Sequence, residues 1–231
     1  MDDVLKKLLN NALSEFCVFF SYLPRIYSSP KEFFGSICGS HKTFYEASRF
    51  ALVISCLFAL LNVPSYKING ISVSSEILLI DIIFSWVLIF IYGVLVWASC
   101  KLFLGKCSLI KVLSAFFYSC AILVVIKFLE IPARIVRDKY LLGASLESDI
   151  SDNMSNAVLS NPYSLVSETM VGFGYVWFSV VLFILVREVN NFNWLRSLCA
   201  CLVGMFFVSL AVSWVQRPIT HVLLNAFAVY N

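Results

Sequence analysis

Two long apolar runs stand back to back in this chain. Ile77 to Cys100 reads ILLIDIIFSWVLIFIYGVLVWASC, Val112 to Ile131 reads VLSAFFYSCAILVVIKFLEI, and a short turn carrying Lys101, Lys106 and Lys111 separates them. Each run supplies the roughly 20 residues that a helix needs to cross a bilayer core, since a helix rises about 1.5 Å per residue through about 30 Å of hydrocarbon. Within hydrocarbon no water is present to satisfy backbone N–H and C=O groups, so each run must bond within itself as a helix. Composition excludes a soluble domain: 60% of the 231 residues are hydrophobic and 13% are charged, against roughly 25% charged in soluble proteins. The expected fold class is therefore all-α, a polytopic membrane protein in one domain, with no linker-like stretch or internal repeat to mark a second.

Three further spans follow from the same argument. The first runs about Ala47 to Val63 and is expected to stop at Asn62 and Pro64, because proline disfavours helix at the residue before it. With the hairpin as spans two and three, Val171 to Val189 makes the fourth and Leu195 to Val215 the fifth, entered through the turn NNFNW. Between spans three and four, residues 132–170 form a long polar loop, and a loop of that length calls for one or two short helices of its own. The tail, residues 216–231, is apolar but too short to cross.

Residues 1–46 read as a segment on the membrane rather than in it. Leu5, Leu8, Leu9, Ala12, Leu13, Phe16 and Phe20 share one helical face, which predicts an amphipathic interfacial helix that Pro24 ends. Ser29-Pro30-Lys31-Glu32 predicts a second helix start, with Ser as N-cap and Pro at the first helical position. Its Phe33, Phe34 and Ile37 suit an interfacial anchor, and a protein partner at this segment is the competing role. Asp2 and Asp3 precede the first lysines and Asn10, Asn11 and Glu15 interrupt the apolar residues, so the first span is expected to do the targeting.

Basic residues choose the orientation. The N-terminal segment, the hairpin turn and the Arg187 to Arg196 turn hold 11 Lys or Arg, and the other side holds 5, which predicts a cytoplasmic N-terminus. The eight cysteines all fall in spans or on that same side, as a reducing cytosol permits, and no CxxC suggests a metal. A net charge of +3, scattered along the membrane edges, argues against nucleic acid. The partner expected from composition is the lipid bilayer, and a homo-oligomer is compatible with it. The expected location is the bacterial inner membrane, with the ER or Golgi as the alternative. Asn153-Met154-Ser155 is a glycosylation sequon only in the latter.

The turn and the span after it carry a resemblance. In LFLGKCSLIKVLSAFFYSCAILVV, residues Gly105, Ser108, Ser114, Ala115, Tyr118 and Ser119 resemble a signature of the Yip family, the Ypt-interacting membrane proteins and their prokaryotic relatives. Upstream, SSPKEFF followed by YEASRFAL is similar to the family's pre-span segment. The short N-terminal segment looks more like the prokaryotic relatives. Their eukaryotic counterparts look like adaptors for Rab-type GTPases and membrane-shaping proteins, so the resemblance implies five spans, a cytoplasmic N-terminus and a non-enzymatic scaffold or adaptor.

Enzymatic signals are thin. His41 and His221 lie on opposite sides by this topology, so no histidine cluster, metal site or cofactor site is expected. GFGY at Gly172 lacks the Asp of an intramembrane aspartyl protease, no GxSxG occurs, and helix packing is the reading for those glycines. The charges inside the spans are the stronger lead. Asp81 lies near one end of span two, Lys127 and Glu130 near the end of span three and Arg134 just beyond, so an antiparallel hairpin brings Asp81, Lys127, Glu130 and Arg134 to similar depth. Asp81 is expected to pair with Lys127, and Lys127 with Glu130 at i,i+3 spacing. Such a cluster is either structural or the working part of a small transporter, channel or export component. An immunity-type protein binding a toxin fits the size and composition as a further alternative.

Overall fold

Five helices open on a side chain that satisfies an orphan backbone N–H. Ser40, Ser74 and Ser108 accept from the N–H three residues on, and so do the amides of Asn161 and Asn193; such caps contribute about 1 kcal/mol each. The computed structural model describes residues 2–37, 39–143, 160–220 and 222. The helices that follow these caps are α3 (His41–Ile68), α4 (Ser75–Leu102), α5 (Leu109–Ser119) with α6 (Ala121–Gly143), α7 (Pro162–Asn190) and α8 (Trp194–Ala211), the last running on through a π-helical turn, Val212–Gln216. Among the described residues, five segments are long and apolar enough to cross a membrane: His41–Ile68, Ser75–Leu102, Leu109–Tyr140, Pro162–Asn190 and Trp194–Thr220. Ahead of them come α1 (Asp2–Ser28) and α2 (Pro30–Gly35).

The third span is the hub. In its most apolar window 72% of residues are buried, against 17% to 39% in the other four. Accordingly α3 packs on α4, α5 and α6, while α7 packs on α5, α6 and α8. Close approach is set by small residues: a Cβ on Gly93 would lie 2.6 Å from Leu113, and one on Gly174 would lie 2.6 Å from Ile126. The packing reading of the GFGY glycines therefore holds at Gly174, whereas Gly172 faces open space.

Prolines end fewer helices than the sequence suggests. Pro24 lies inside α1, Pro64 inside α3 and Pro132 inside α6. At Pro132 the reason is visible: Ser167 of α7 donates its hydroxyl to the Leu129 carbonyl at 2.5 Å and accepts from the Ala133 N–H at 3.4 Å. A neighbouring hydroxyl thus carries the backbone bonding across the proline, as membrane helices tolerate. The expected 132–170 loop is correspondingly shorter, since α6 runs to Gly143 and α7 starts at Pro162. Its centre, with Asn153, lies outside the described residues. Conversely, span three is interrupted where no proline stands, at Cys120, where Leu123 N–H bonds back only three residues.

The bundle has two distinct ends. One, the near end, gathers α2, the α4–α5 turn and the C-terminus of α7. There Gly39 abuts Ser108 and Lys111, and Gly105 abuts Asn190. At the far end, the C-terminal halves of α3 and α6 meet the N-terminal halves of α4 and α7.

Candidate functional site: a polar layer at the far end

Asn62 and Tyr66 lie one helical turn apart on α3 and face Asp81 of α4. Asp81 Oδ2 accepts from Asn62 Nδ2 at 2.7 Å and from the Tyr66 hydroxyl at 2.9 Å, and Ser85 Oγ lies 3.5 Å from Oδ1. The amide of Asn62 has an oxygen left, and Arg134 Nη1 of α6 donates to it at 2.9 Å. Three helices are thus tied through one side-chain amide, and the negative and positive groups communicate across it.

The other expected pairs are not made. Asp81 and Lys127 form no ion pair, because the carboxylate is already occupied by Asn62 and Tyr66. The Lys127 ammonium lies 4.7 Å from the centroid of the Phe58 ring, a cation–π contact. Nor does Glu130 pair with Lys127. It accepts from Arg137 Nη2 at 2.7 Å, and Arg137 Nη1 reaches Glu168 of α7 at 3.5 Å. Of the expected quartet, Asp81 and Arg134 are joined through Asn62, Lys127 stands beside them, and Glu130 belongs to a separate α6–α7 link. Asn62, Tyr66, Arg137 and Glu168 were not anticipated. Asn62 and Tyr66 hold the i,i+4 spacing of a polar helix face, a signal hidden by reading Asn62 and Pro64 as the helix end.

Two adjoining cavities open on this layer. A polar one of about 280 Å³ is lined by Asn62, Tyr66, Asp81, Lys127, Arg134, Asp138 and Gln216 among others. A larger one of about 510 Å³ shares Lys127, Arg134 and Gln216 and is otherwise mainly apolar, between α6, α7 and α8. The π-helical turn brings Gln216 to the boundary, where its side-chain oxygen accepts from the Tyr92 hydroxyl at 2.5 Å.

The expected anchor residues sit elsewhere than on the surface. Phe34 is fully buried and Ile37 nearly so, since α2 packs against α7. Phe33 is half-buried, with its ring edge-on to Tyr118 and to Tyr22 at centroid distances of 5.4 and 5.8 Å. The apolar residues of α2 are core rather than lipid-facing, because α2 is inserted into the near end of the bundle.

Packing also accounts for the motif read from the sequence. Ser114, Ala115 and Ser119 have no exposed surface, as befits the hub. Tyr118 stacks among Tyr22, Phe33 and Phe50, and Ser108 caps α5. A Cβ on Gly105 would lie 2.7 Å from both the Cys100 carbonyl and the Asn190 amide oxygen. No curated protein and no solved structure matches the chain. A family model does: the Yip1 domain matches residues 25–215, from the end of α1 to the middle of the π-helical turn. With four-fifths of its length inside that match, the chain belongs to the Yip1 family of integral membrane proteins.

Proposed function

We propose that the protein is a non-enzymatic membrane scaffold or adaptor whose near end faces the cytoplasm and meets a protein partner. The observation that carries this reading is the way α1 and α2 are fastened. Phe19 stacks on Phe50 at 5.3 Å, Tyr22 meets Phe50 and Tyr118, and Ile26 and Phe34 are fully buried. Val18 and Phe20, on the other side of α1, are exposed. An N-terminal segment held this firmly presents a fixed surface, which suits an adaptor better than a loose tether does. The transport reading fares worse. Phe50, Phe117 and Tyr118 are buried and fill the bundle toward the near end, and the far cavities are lined by residues of the other end.

A photo-crosslinking residue at Phe20 in native membranes is expected to give one discrete protein adduct, and the same residue at Phe128 or Phe173, exposed on the spans, lipid adducts only. Lipid adducts alone at Phe20 would overturn the adaptor reading. Orientation is tested by labelling. Lys106→Cys is expected to react only after permeabilisation. Its neighbour Cys107 gives little background, because burial pushes its thiol up against the pull of Lys111 and Lys101 and its Sγ donates to the Val189 carbonyl.

A further inference from the structure

Lys127 and Asp138 line the same polar cavity, and among the described residues neither forms an ion pair. The Lys127 ammonium lies against the Phe58 ring, with Asp81 and Glu130 near but not bonded to it, and among the described residues Asp138 Oδ2 is buried with no hydrogen-bond partner. Charges at such depth are costly unless paired, and here an acid and a base stand in one space of about 280 Å³ without meeting. An anion filling the cavity would leave Asp138 unmatched, and a cation would leave Lys127 unmatched. A group with both signs satisfies both.

The adjoining cavity adds a second requirement. Its volume is about 510 Å³ and its walls include Phe58, Leu123, Ile126, Phe178, Met205 and Val208, which suit hydrocarbon. The two cavities share Lys127, Arg134 and Gln216, so a ligand that spans them is zwitterionic at one end and apolar at the other. The π-helical turn, a distortion frequent at functional sites, sits at their boundary and fixes Gln216 to Tyr92.

We propose that the joined cavities bind one aminophospholipid, with its phosphate on Lys127 and Arg134, its amine at Asp138 and an acyl chain in the apolar cavity. Arg134 spends one donor on Asn62 and keeps others for a phosphate oxygen. Asp81, already accepting two hydrogen bonds, is a wall of the site rather than a ligand group. The inference is independent of the adaptor reading, since it concerns the opposite end of the bundle.

The test is native mass spectrometry of the full chain released from nanodiscs containing equal amounts of phosphatidylethanolamine and phosphatidylglycerol, followed by stepwise delipidation. One phosphatidylethanolamine is expected to be retained about tenfold over phosphatidylglycerol. Asp138→Asn should abolish that preference while leaving one lipid bound, and Lys127→Met should lose retention of both. Ser209→Phe fills the apolar cavity without changing a charge and should also lose retention, which covers the case in which Lys127→Met does not fold. Free phosphoethanolamine should not compete at the concentrations where the lipid does. Equal retention of the two lipids by the unaltered protein would mean annular lipid only. A Ser209→Phe variant that retains the lipid, or full competition by phosphoethanolamine, would equally overturn the proposal.

Discussion

The two ends of the bundle are closed by opposite means. At the near end, rings and small residues fit by shape: Phe34, Phe117 and Ile26 are buried without polar partners, and Gly105 lets the α4–α5 turn lie against Asn190. At the far end, an amide, a phenol and a carboxylate tie α3, α4 and α6 together and leave cavities beside them. Shape complementarity fills space, whereas a hydrogen-bond network fixes geometry at points and tolerates space between them. The near end is therefore closed mainly by packing, apart from a surface cleft of about 290 Å³ between α1 and α2, whereas the far end keeps its cavities among polar ties between the spans.

The largest expected effect falls on the near end. Phe34→Ala removes a fully buried ring that joins α2 to the bundle, and such truncations cost about 3–5 kcal/mol. Unfolding of the purified protein in mild detergent should show this as a marked fall in midpoint, together with faster proteolysis between α2 and α3. A change below about 1 kcal/mol would mean that α2 is not held as a core element, and the contrast between the ends would fail.

Next comes the far network, for which double-mutant cycles are the measure. Asp81 with Tyr66 should show coupling of about 1–2 kcal/mol, because one hydrogen bond to a charged group joins them. Asp81 with Lys127 should show much less, since Lys127 rests on Phe58. The reverse order would restore the direct ion pair expected from the sequence and remove the unpaired ammonium on which a lipid phosphate would sit.

How far each end was legible follows from the same contrast. Five spans, the hairpin, the start of α2 at Pro30 and the depth of Asp81, Lys127 and Arg134 follow from hydropathy and helix geometry, because these are local, although the expected Ser29 side chain makes no cap bond to α2. The partner choices do not. Nothing local says that Asn62 joins Asp81 to Arg134, or that Ser167 on another helix carries α6 past Pro132. Phe33, Phe34 and Ile37 misled for a related reason: an apolar helical face looks the same whether it meets lipid or protein, and only the position of α2 against α7 decides.

A smaller effect of opposite sign is expected in the α4–α5 turn. The α4 C-terminus closes with Gly105 N–H on the Cys100 carbonyl and Leu104 N–H on the Lys101 carbonyl, an arrangement that requires a left-handed residue at Leu104, whose φ is 62°. Glycine usually holds that place. Here the glycine stands one residue later, where a Cβ would strike Cys100. Leu104→Gly relieves the backbone while removing an exposed side chain, and the looser unfolded chain offsets part of the gain. A rise in stability of about 0.5–1 kcal/mol is expected in the same unfolding assay. A loss would indicate that Leu104 has a contact of its own in the membrane.

The smallest effect separates the two links of Arg137. Glu130 accepts from it at 2.7 Å, while Glu168 lies at 3.5 Å, and the side chains of Arg137 and Glu168 keep 31% and 34% of their surface exposed. An ion pair that long and that wet contributes below about 0.5 kcal/mol after screening, so Glu168→Gln should hardly move the unfolding midpoint, and the little it moves should vanish in high salt. Glu130→Gln keeps the shape but weakens the short charged bond, and about 1 kcal/mol is expected there, with less dependence on salt. If Glu168→Gln proved the costlier of the two, the α6–α7 contact at the far end would rest on charge rather than on Ser167 bridging the Pro132 break. Ser167→Ala would then be tolerated; if the hydroxyl bridge carries the contact, Ser167→Ala is the damaging change, because it leaves the Leu129 carbonyl and the Ala133 N–H without their partner.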